Sequence, residues 1–360
     1  MAKVVTYSPA YTLVPTYECF NRCAYCNFRK EPGQDRWLTL ASARQTLERL
    51  KPELCPVQLA TIAGEADKNN QSVVEILILS GEVHPHSSRR SIWFQHIFAL
   101  CRLALELGFL PHTNAGPLSF DEMAQLKQVN VSMGLMLEQM TPALLETVHR
   151  HAPSKQPELR SQQLAWAGQL QIPFTTGLLV GIGETPQDWE ETLTEIADLH
   201  QRYGHIQEVI LQPHQPGQQQ ADAGKACDDH TLLTVVKLAR QLLPSDITLQ
   251  IPPNLVQDPA MLMACLEAGV CDLGGIGPWD EVNPDYPHHS LKQIRLWLRS
   301  HGWRLEPRLP LYPAYDGWLA NVKLQSAVQS WRQQLADGFG SVVDAEVDTE
   351  INTDTKRWGR

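Results

Sequence analysis

This chain is short of several things. Its 360 residues include only 8 cysteines, 7% aromatics and 19% charged residues. No apolar run reaches the roughly 18 residues of a membrane helix, so no membrane span is expected. Basic residues are in deficit: 30 Lys and Arg against 40 Asp and Glu leave a net charge of −10. With no basic patch interleaved with aromatics, that balance excludes nucleic acid as the main partner. The opening stretch MAKVVTYSPAYTLV lacks the charged-then-apolar pattern of an export leader. A reducing, cytoplasmic location is therefore expected. No strand-to-helix turn carries a dinucleotide fingerprint. What remains, at 43% hydrophobic, is an ordinary soluble globule with a large core.

The few cysteines are unevenly spread. Cys19, Cys23 and Cys26 fall within one segment, YECFNRCAYCNFR. At this cysteine frequency the spacing C-x3-C-x2-C arises by chance only about 0.004 times per chain. A disulfide would strand one of the three thiols. Structural zinc wants four protein ligands, and no further Cys or His follows closely. Short cysteine-rich loops hold iron–sulfur clusters. Three thiolates on a four-iron cube leave one iron open for chemistry, and the spacing favours that cube over zinc.

Along the chain, short apolar runs alternate with amphipathic runs of helical length. Residues 10–17 read as a strand leading into the cysteine loop, 38–50 as a helix, and GEADKNN (64–70) as a surface loop. VEILILSGE (74–82) is a near-continuous apolar run, as in a strand buried on both faces. Residues 91–108 carry helical periodicity that ends on a glycine, and Ser119 with Glu122 forms a capping-box pattern. The alternation repeats through VCDLGGIGP, read as the last strand, and SLKQIRLWLRSHG, read as the last helix of the repeat. About eight such units predict an α/β fold: a parallel (β/α) TIM-like barrel, full or partial, with an open doubly wound sheet as the alternative. One barrel domain is expected over 1–335, followed by an acidic, disordered tail over 336–360.

In a parallel barrel, function collects where strands end. Those ends bring together the three cysteines, Ser80-Gly81-Glu82, Asn114, Glu138, Gly181 with Glu184, Gln212 with His214, and the segment holding Asp280, Glu281 and Asn283. Each has a bland reading. SGE and Asn114 suit turns, GIGE suits a steric strand-to-helix turn, and Glu138 could cap a helix. His149 and His151 are expected on the surface or in a loop. Cys101, Cys265, Trp93 and Trp297 are expected in the core.

CFNRCAYC resembles the C-x3-C-x-aromatic-C signature of the radical S-adenosylmethionine (SAM) superfamily, with Tyr25 as the aromatic. Ser80-Gly81-Glu82 resembles that family's Gly-Gly-Glu motif, with Ser80 in place of the first glycine. GLLVGIGE resembles its adenosine-side stretch. NAGPLSFDEMAQLKQVNVSMGLMLE, HRHAPSKQPELR and IPFTTGLLVGIGET are similar to the CofG-type subunits of FO synthases, whereas LQPHQPGQQQA follows them only loosely.

The resemblance implies a 4Fe–4S cluster on Cys19, Cys23 and Cys26, with SAM on its open iron. It places Tyr25, Ser80, Gly81, Glu82, Asn114, Glu138, Gly181 and Glu184 at the cofactor. It also implies a radical lyase that forms a deazaflavin with loss of ammonia. A CofH-type partner would supply a hydroxybenzyl–ribitylaminouracil adduct, and a ferredoxin or flavodoxin would supply the electron. Asp280 and Glu281 are the candidate acid and base; Asn114, Gln212 and Asn283 are further candidates for the substrate. The competing readings are a menaquinone-pathway or biotin-synthase-like radical enzyme, an electron carrier, and a barrel enzyme with structural zinc.

Overall fold

The computed structural model describes residues 3–51, 73–220, 224–256 and 258–337. The expected loop at 64–70 and all but the first two residues of the expected tail lie outside the described residues. Nine parallel strands alternate with helices. The barrel strands are β1 (Lys3–Leu13), β2 (Glu75–Leu79), β3 (Leu110–Asn114), β4 (Ser132–Gly134), β5 (Phe174–Val180), β6 (Ile206–Pro213), β7 (Thr248–Gln250) and β8 (Asp272–Ile276). They pair in chain order, and β1 closes the ring by pairing with both β8 and β2. The fold is thus a closed parallel α/β barrel of the TIM type, not an open sheet.

Helices ring the barrel: α1 (Leu40–Leu50), α2 (Arg90–Glu106), α3 (Phe120–Leu126), α4 (Pro157–Gln169), α5 (Pro186–Tyr203), α6 (Asp229–Leu242), α7 (Pro259–Glu267) and α8 (Leu291–Ser300). Local chemistry sets their starts. Ser119 and Glu122 form the expected capping box on α3, and Thr185 caps α5 with Pro186 in the first turn. Trp93, Cys101 and Cys265 are buried in the sheet–helix layer and Trp297 packs at its edge.

Two expectations need correction. β1 starts at Lys3 and ends before the cysteine loop, where residues 10–17 were expected to form it. Pro9 obscures its start in the sequence, yet Pro9 is tolerated beside the irregularity in the β1–β8 pairing between Thr6 and Ser8, and its carbonyl still accepts from Val74 N at 2.9 Å. The strand after β7 is not the last. β9 (Trp303–Pro307) pairs with Lys3–Tyr7 of β1, and α9 (Val322–Ala336) follows.

Alternation within strands explains the rest. In β2, Ile76 and Ile78 face the helices while Glu75, Leu77 and Leu79 face a cavity inside the barrel. In β6, Glu208, Ile210 and Gln212 do the same. The barrel interior is therefore not the packed core common to this architecture but a cavity of ≈ 380 Å³.

The chain after β9 closes the bottom of that cavity. Leu309, Leu311, Tyr315, Leu324 and Trp331 pack against Val74, Leu110 and Val131 at the entries to β2, β3 and β4. The Pro310 carbonyl accepts from Ser132 Oγ at 2.6 Å and Gln207 Nε2 at 3.0 Å. Arg308 enters the barrel from this side. Its guanidinium grips Asp272 through Nε at 2.6 Å and Nη2 at 2.8 Å, and donates to Glu208 through Nη2 at 2.5 Å.

Glu75 also lies on this floor, bonded to Ser8. One guanidinium faces three buried carboxylates. Burial, opposed by Arg308 and aided by Asp272, pushes the Glu208 carboxyl from 4.5 up to about 8. Between those values the folded protein keeps a proton that the unfolded chain has released. Stability from this group is therefore complete below about 4.5 and is lost as pH rises to about 8. Thermal melts from about pH 5 to 9 should show that decline, and Glu208→Gln should flatten it. An unchanged slope in the variant would place the proton elsewhere.

Candidate active site

The segment between β1 and α1 lies over the cavity mouth, held mostly by its own backbone. Phe20 N donates to Glu82 O at 3.0 Å, Arg22 N to His151 O at 2.7 Å, Ala24 N to Val148 O at 2.9 Å, and Cys26 N to Cys23 O at 3.1 Å. Glu18 organises it from beneath. Its buried carboxylate accepts from Gly33 N at 2.9 Å and pairs with Arg89 at 2.7 Å. Asn27 laces the far side of the segment to Asp285 at 3.0 Å and Gln219 N at 2.8 Å.

Cys19, Cys23 and Cys26 are free thiols, and all three line the cavity. No other cysteine among the described residues does so. Among those residues, no three or more His, Cys, Asp or Glu side chains converge as they would around a single metal ion. Burial, reinforced by Glu82, pushes the Cys19 thiol up to about 12, and burial, opposed by Lys155, pushes Cys23 to about 11. Iron must therefore displace protons from these sulfurs when it binds. Three soft donors on one short loop, with no fourth cysteine beside them, fit a cube gripped at three corners.

Gly81 brings the loop and β2 together. Its N–H donates to Thr16 O at 2.8 Å, and a Cβ there would stand 2.2 Å from Glu18 O. Only glycine permits that approach. Glu82 next to it is fully partnered: Asn21 Nδ2 at 2.8 Å, Ser154 Oγ, and Arg160 Nη2 at 3.4 Å. Ser80 lines the cavity with them, its hydroxyl accepting from Trp93 Nε1 at 3.0 Å.

Glu138 sits beyond β4 at φ 67, a left-handed conformation uncommon for a side chain other than glycine. It is buried and ion-paired with Lys155. Burial opposes its charge, but Lys155 and Arg160 prevail and hold its carboxyl below the usual range. Two carboxylates and two cations thus share the rim. Asn21, Ser154, Lys155 and Arg160 were not among the expected site residues. All but Asn21 come from the turns and helix start between β4 and β5, within HRHAPSKQPELR, not from a strand end.

Tyr25 is packed against Leu144, Leu179 and Ile182, and its hydroxyl meets His149 Nε2 at 3.0 Å. Both histidines lie in the turns before α4, but only His151 is exposed; His149 is buried. Burial and Lys155 lower the His149 pKa to about 4, so its imidazole is neutral.

Asn114 and Gln212 line the cavity from β3 and β6. Gly181 and Glu184 are not among the residues lining it. Glu184 instead accepts from Gly181 N at 2.6 Å, Ile182 N at 2.8 Å and Trp189 Nε1 at 2.9 Å, holding its own turn. His214 lines the cavity but is tied to Lys225 O at 3.0 Å. Across the mouth, Asp280 accepts from Val282 N and Asn283 N, both at 2.9 Å, and from Asn254 Nδ2 at 2.8 Å. Glu281 accepts from Tyr17 OH at 2.6 Å.

With this geometry in place, comparison with known proteins is decisive. Residues 13–196 match the radical SAM superfamily. The chain is 63% identical over 330 residues to the 7,8-didemethyl-8-hydroxy-5-deazariboflavin synthase of Trichormus variabilis, covering 92% of each chain. To that of Trichodesmium erythraeum it is 55% identical over 336 residues, covering 93% of this chain and 99% of that one. The chain belongs to this radical SAM family.

Solved structures agree on the fold. The FeFe-hydrogenase maturase HydG of Carboxydothermus hydrogenoformans superposes with a TM-score of 0.62 at 15% identity, covering 96% of this chain and 82% of that one. Methylornithine synthase (PylB) gives 0.60 at 14%, covering 85% and 84%. As a radical SAM enzyme the protein uses a 4Fe–4S cluster and SAM.

The tight approach at Gly81 yields a test. Gly81→Ala should displace the cysteine loop, cost about 1–3 kcal/mol of stability, and lower the iron retained after reconstitution. Melting temperature and iron content check it; normal values for both would show that the loop yields freely.

Proposed function

We propose that this chain is itself a 7,8-didemethyl-8-hydroxy-5-deazariboflavin synthase, as its relatives are named. One observation supports the reading above others: a three-thiol loop, with no fourth cysteine beside it, opens onto a polar-lined barrel cavity. In this reading Cys19, Cys23 and Cys26 hold the cluster, and Glu82 and its partners orient the amino-acid end of SAM. When bound, these cofactors supply a primary radical that removes one hydrogen from the substrate.

The chain's own groups do the rest. The closed barrel excludes water and holds the substrate where one C–H bond faces the cofactor. Glu82, Glu138, Lys155 and Arg160 present balanced charge to the polar ends of the bound molecules. Ring closure with loss of ammonia needs a proton donor and acceptor. Asp280 is committed to its own turn, whereas Glu281 has Tyr17 as its single side-chain partner; Glu281 is the better placed of the two. A CofH-type partner provides the hydroxybenzyl–ribitylaminouracil adduct, and a ferredoxin or flavodoxin provides the electron.

Anaerobic reconstitution with iron and sulfide, followed by reduction in the presence of SAM, should yield 5′-deoxyadenosine. With the CofH-type partner it should also yield a blue-green fluorescent deazaflavin. Cys19→Ala, Cys23→Ala and Cys26→Ala should each reduce both products to background with little change in melting temperature. Deoxyadenosine without deazaflavin would reject the substrate, and a protein that binds zinc but no iron would reject the whole reading.

A further inference from the structure

The cavity continues past the rim to the floor, where His112 from β3 faces it beside Glu75, Glu208 and Arg308. His112 is 8% exposed. Its tautomer follows from its neighbour. Ser132 has one hydroxyl proton, and that proton goes to the Pro310 carbonyl at 2.6 Å, which can only accept. Ser132 Oγ must then accept from His112 Nδ1–H, 2.7 Å away. Nε2 is left with a bare lone pair, and no group among the described residues is shown bonding to it. Burial, with Arg308 nearby, keeps the ring neutral against the pull of Glu75.

The space beside Nε2 is open because residue 134 is glycine. A Cβ there would lie 3.0 Å from Nε2 and 3.2 Å from Thr175 O. Gly134 itself lines the cavity and is not in the left-handed region, so its backbone does not demand glycine. The floor thus offers a neutral acceptor, carboxylates and a guanidinium, with Gln250 and Thr175 close by. That is the chemistry of a site for a chain of hydroxyl groups, which can both donate and accept.

We infer that the floor is the subsite for the polyhydroxyl side chain of the substrate, with His112 Nε2 accepting a hydrogen bond from one of its hydroxyls. The inference rests on the proposed function, whose product name specifies a ribityl-bearing deazariboflavin. The reacting carbon must lie toward the thiols at the mouth, so the remote, unreactive chain is the part that can reach the floor. Binding there anchors the substrate by groups that take no part in bond breaking, and so fixes which C–H bond is presented.

Two substitutions separate this role from a structural one. His112→Asn places its amide where Nδ1 was, keeping the bond to Ser132 but deleting the acceptor. His112→Gln places an oxygen near Nε2 and gives up the Ser132 bond. The probe is 5-amino-6-ribitylaminouracil, titrated by calorimetry into reconstituted enzyme with SAM, with 5,6-diaminouracil as its truncated counterpart. His112→Asn should weaken the ribityl probe about tenfold, the loss of one buried hydrogen bond, while His112→Gln stays near wild type. Neither should alter binding of the truncated probe. Gly134→Ala leaves His112 intact and should weaken the ribityl probe as well.

The inference is overturned if His112→Asn binds like wild type, if both histidine variants lose affinity equally, if the truncated probe is weakened as much, or if Gly134→Ala binds normally. The underlying reading fails separately: it falls if wild-type enzyme with its partner makes no deazaflavin.

Discussion

Two backbone hydrogen bonds, Gly81 N to Thr16 O and Phe20 N to Glu82 O, tie the cysteine loop to the end of β2. Everything at the mouth depends on that docking. It sets where the thiols stand relative to Glu82, and Glu82 in turn gathers Asn21, Ser154 and Arg160. Neither partner could be replaced by a looser contact. The loop approaches so closely that only the absence of a side chain at 81 allows it, and the two carbonyls it uses belong to different elements.

Charge is handled differently at the two ends of the cavity. At the mouth, Glu82 and Glu138 meet Lys155 and Arg160, so a buried set of four is balanced. At the floor, Arg308 faces three carboxylates, and the excess of acids is lessened by retaining a proton on Glu208. Buried charge is costly unless paired or neutralised. The balanced end is the one that must accept charged cofactor groups. The end short of cations adds a neutral acceptor, His112 Nε2, to its acids and guanidinium.

Much of this was legible in the sequence. Eight strand–helix units, the three cysteines and the placement of Ser80-Gly81-Glu82 follow from local patterns: buried strands read as apolar runs, and ligand spacing is short-range. Less local features were not. Lys155 and Arg160 look like surface cations in HRHAPSKQPELR, and only the fold shows that Glu138 and Glu82 lie opposite them. The burial of His149 was not legible for the same reason, since its partner Tyr25 is distant in sequence. β9 was missed because its pairing is with the first residues of the chain. The local role of Glu184 was not legible either: its carboxylate accepts from Gly181 N and Ile182 N of its own turn.

The C-terminal segment that seals the barrel floor also imposes an order on folding. Asp272 and Glu208 acquire their guanidinium partner, and β1 its second neighbour along Lys3–Tyr7, only when residues 303–308 arrive. On a ribosome, the first strand made must therefore wait for nearly the last. Until then the growing chain has an unmatched strand edge and unpaired acids inside a half-built cylinder. Such an intermediate is what chaperones exist to shelter. The bond that completes the vessel is also the one that ends its exposure during synthesis.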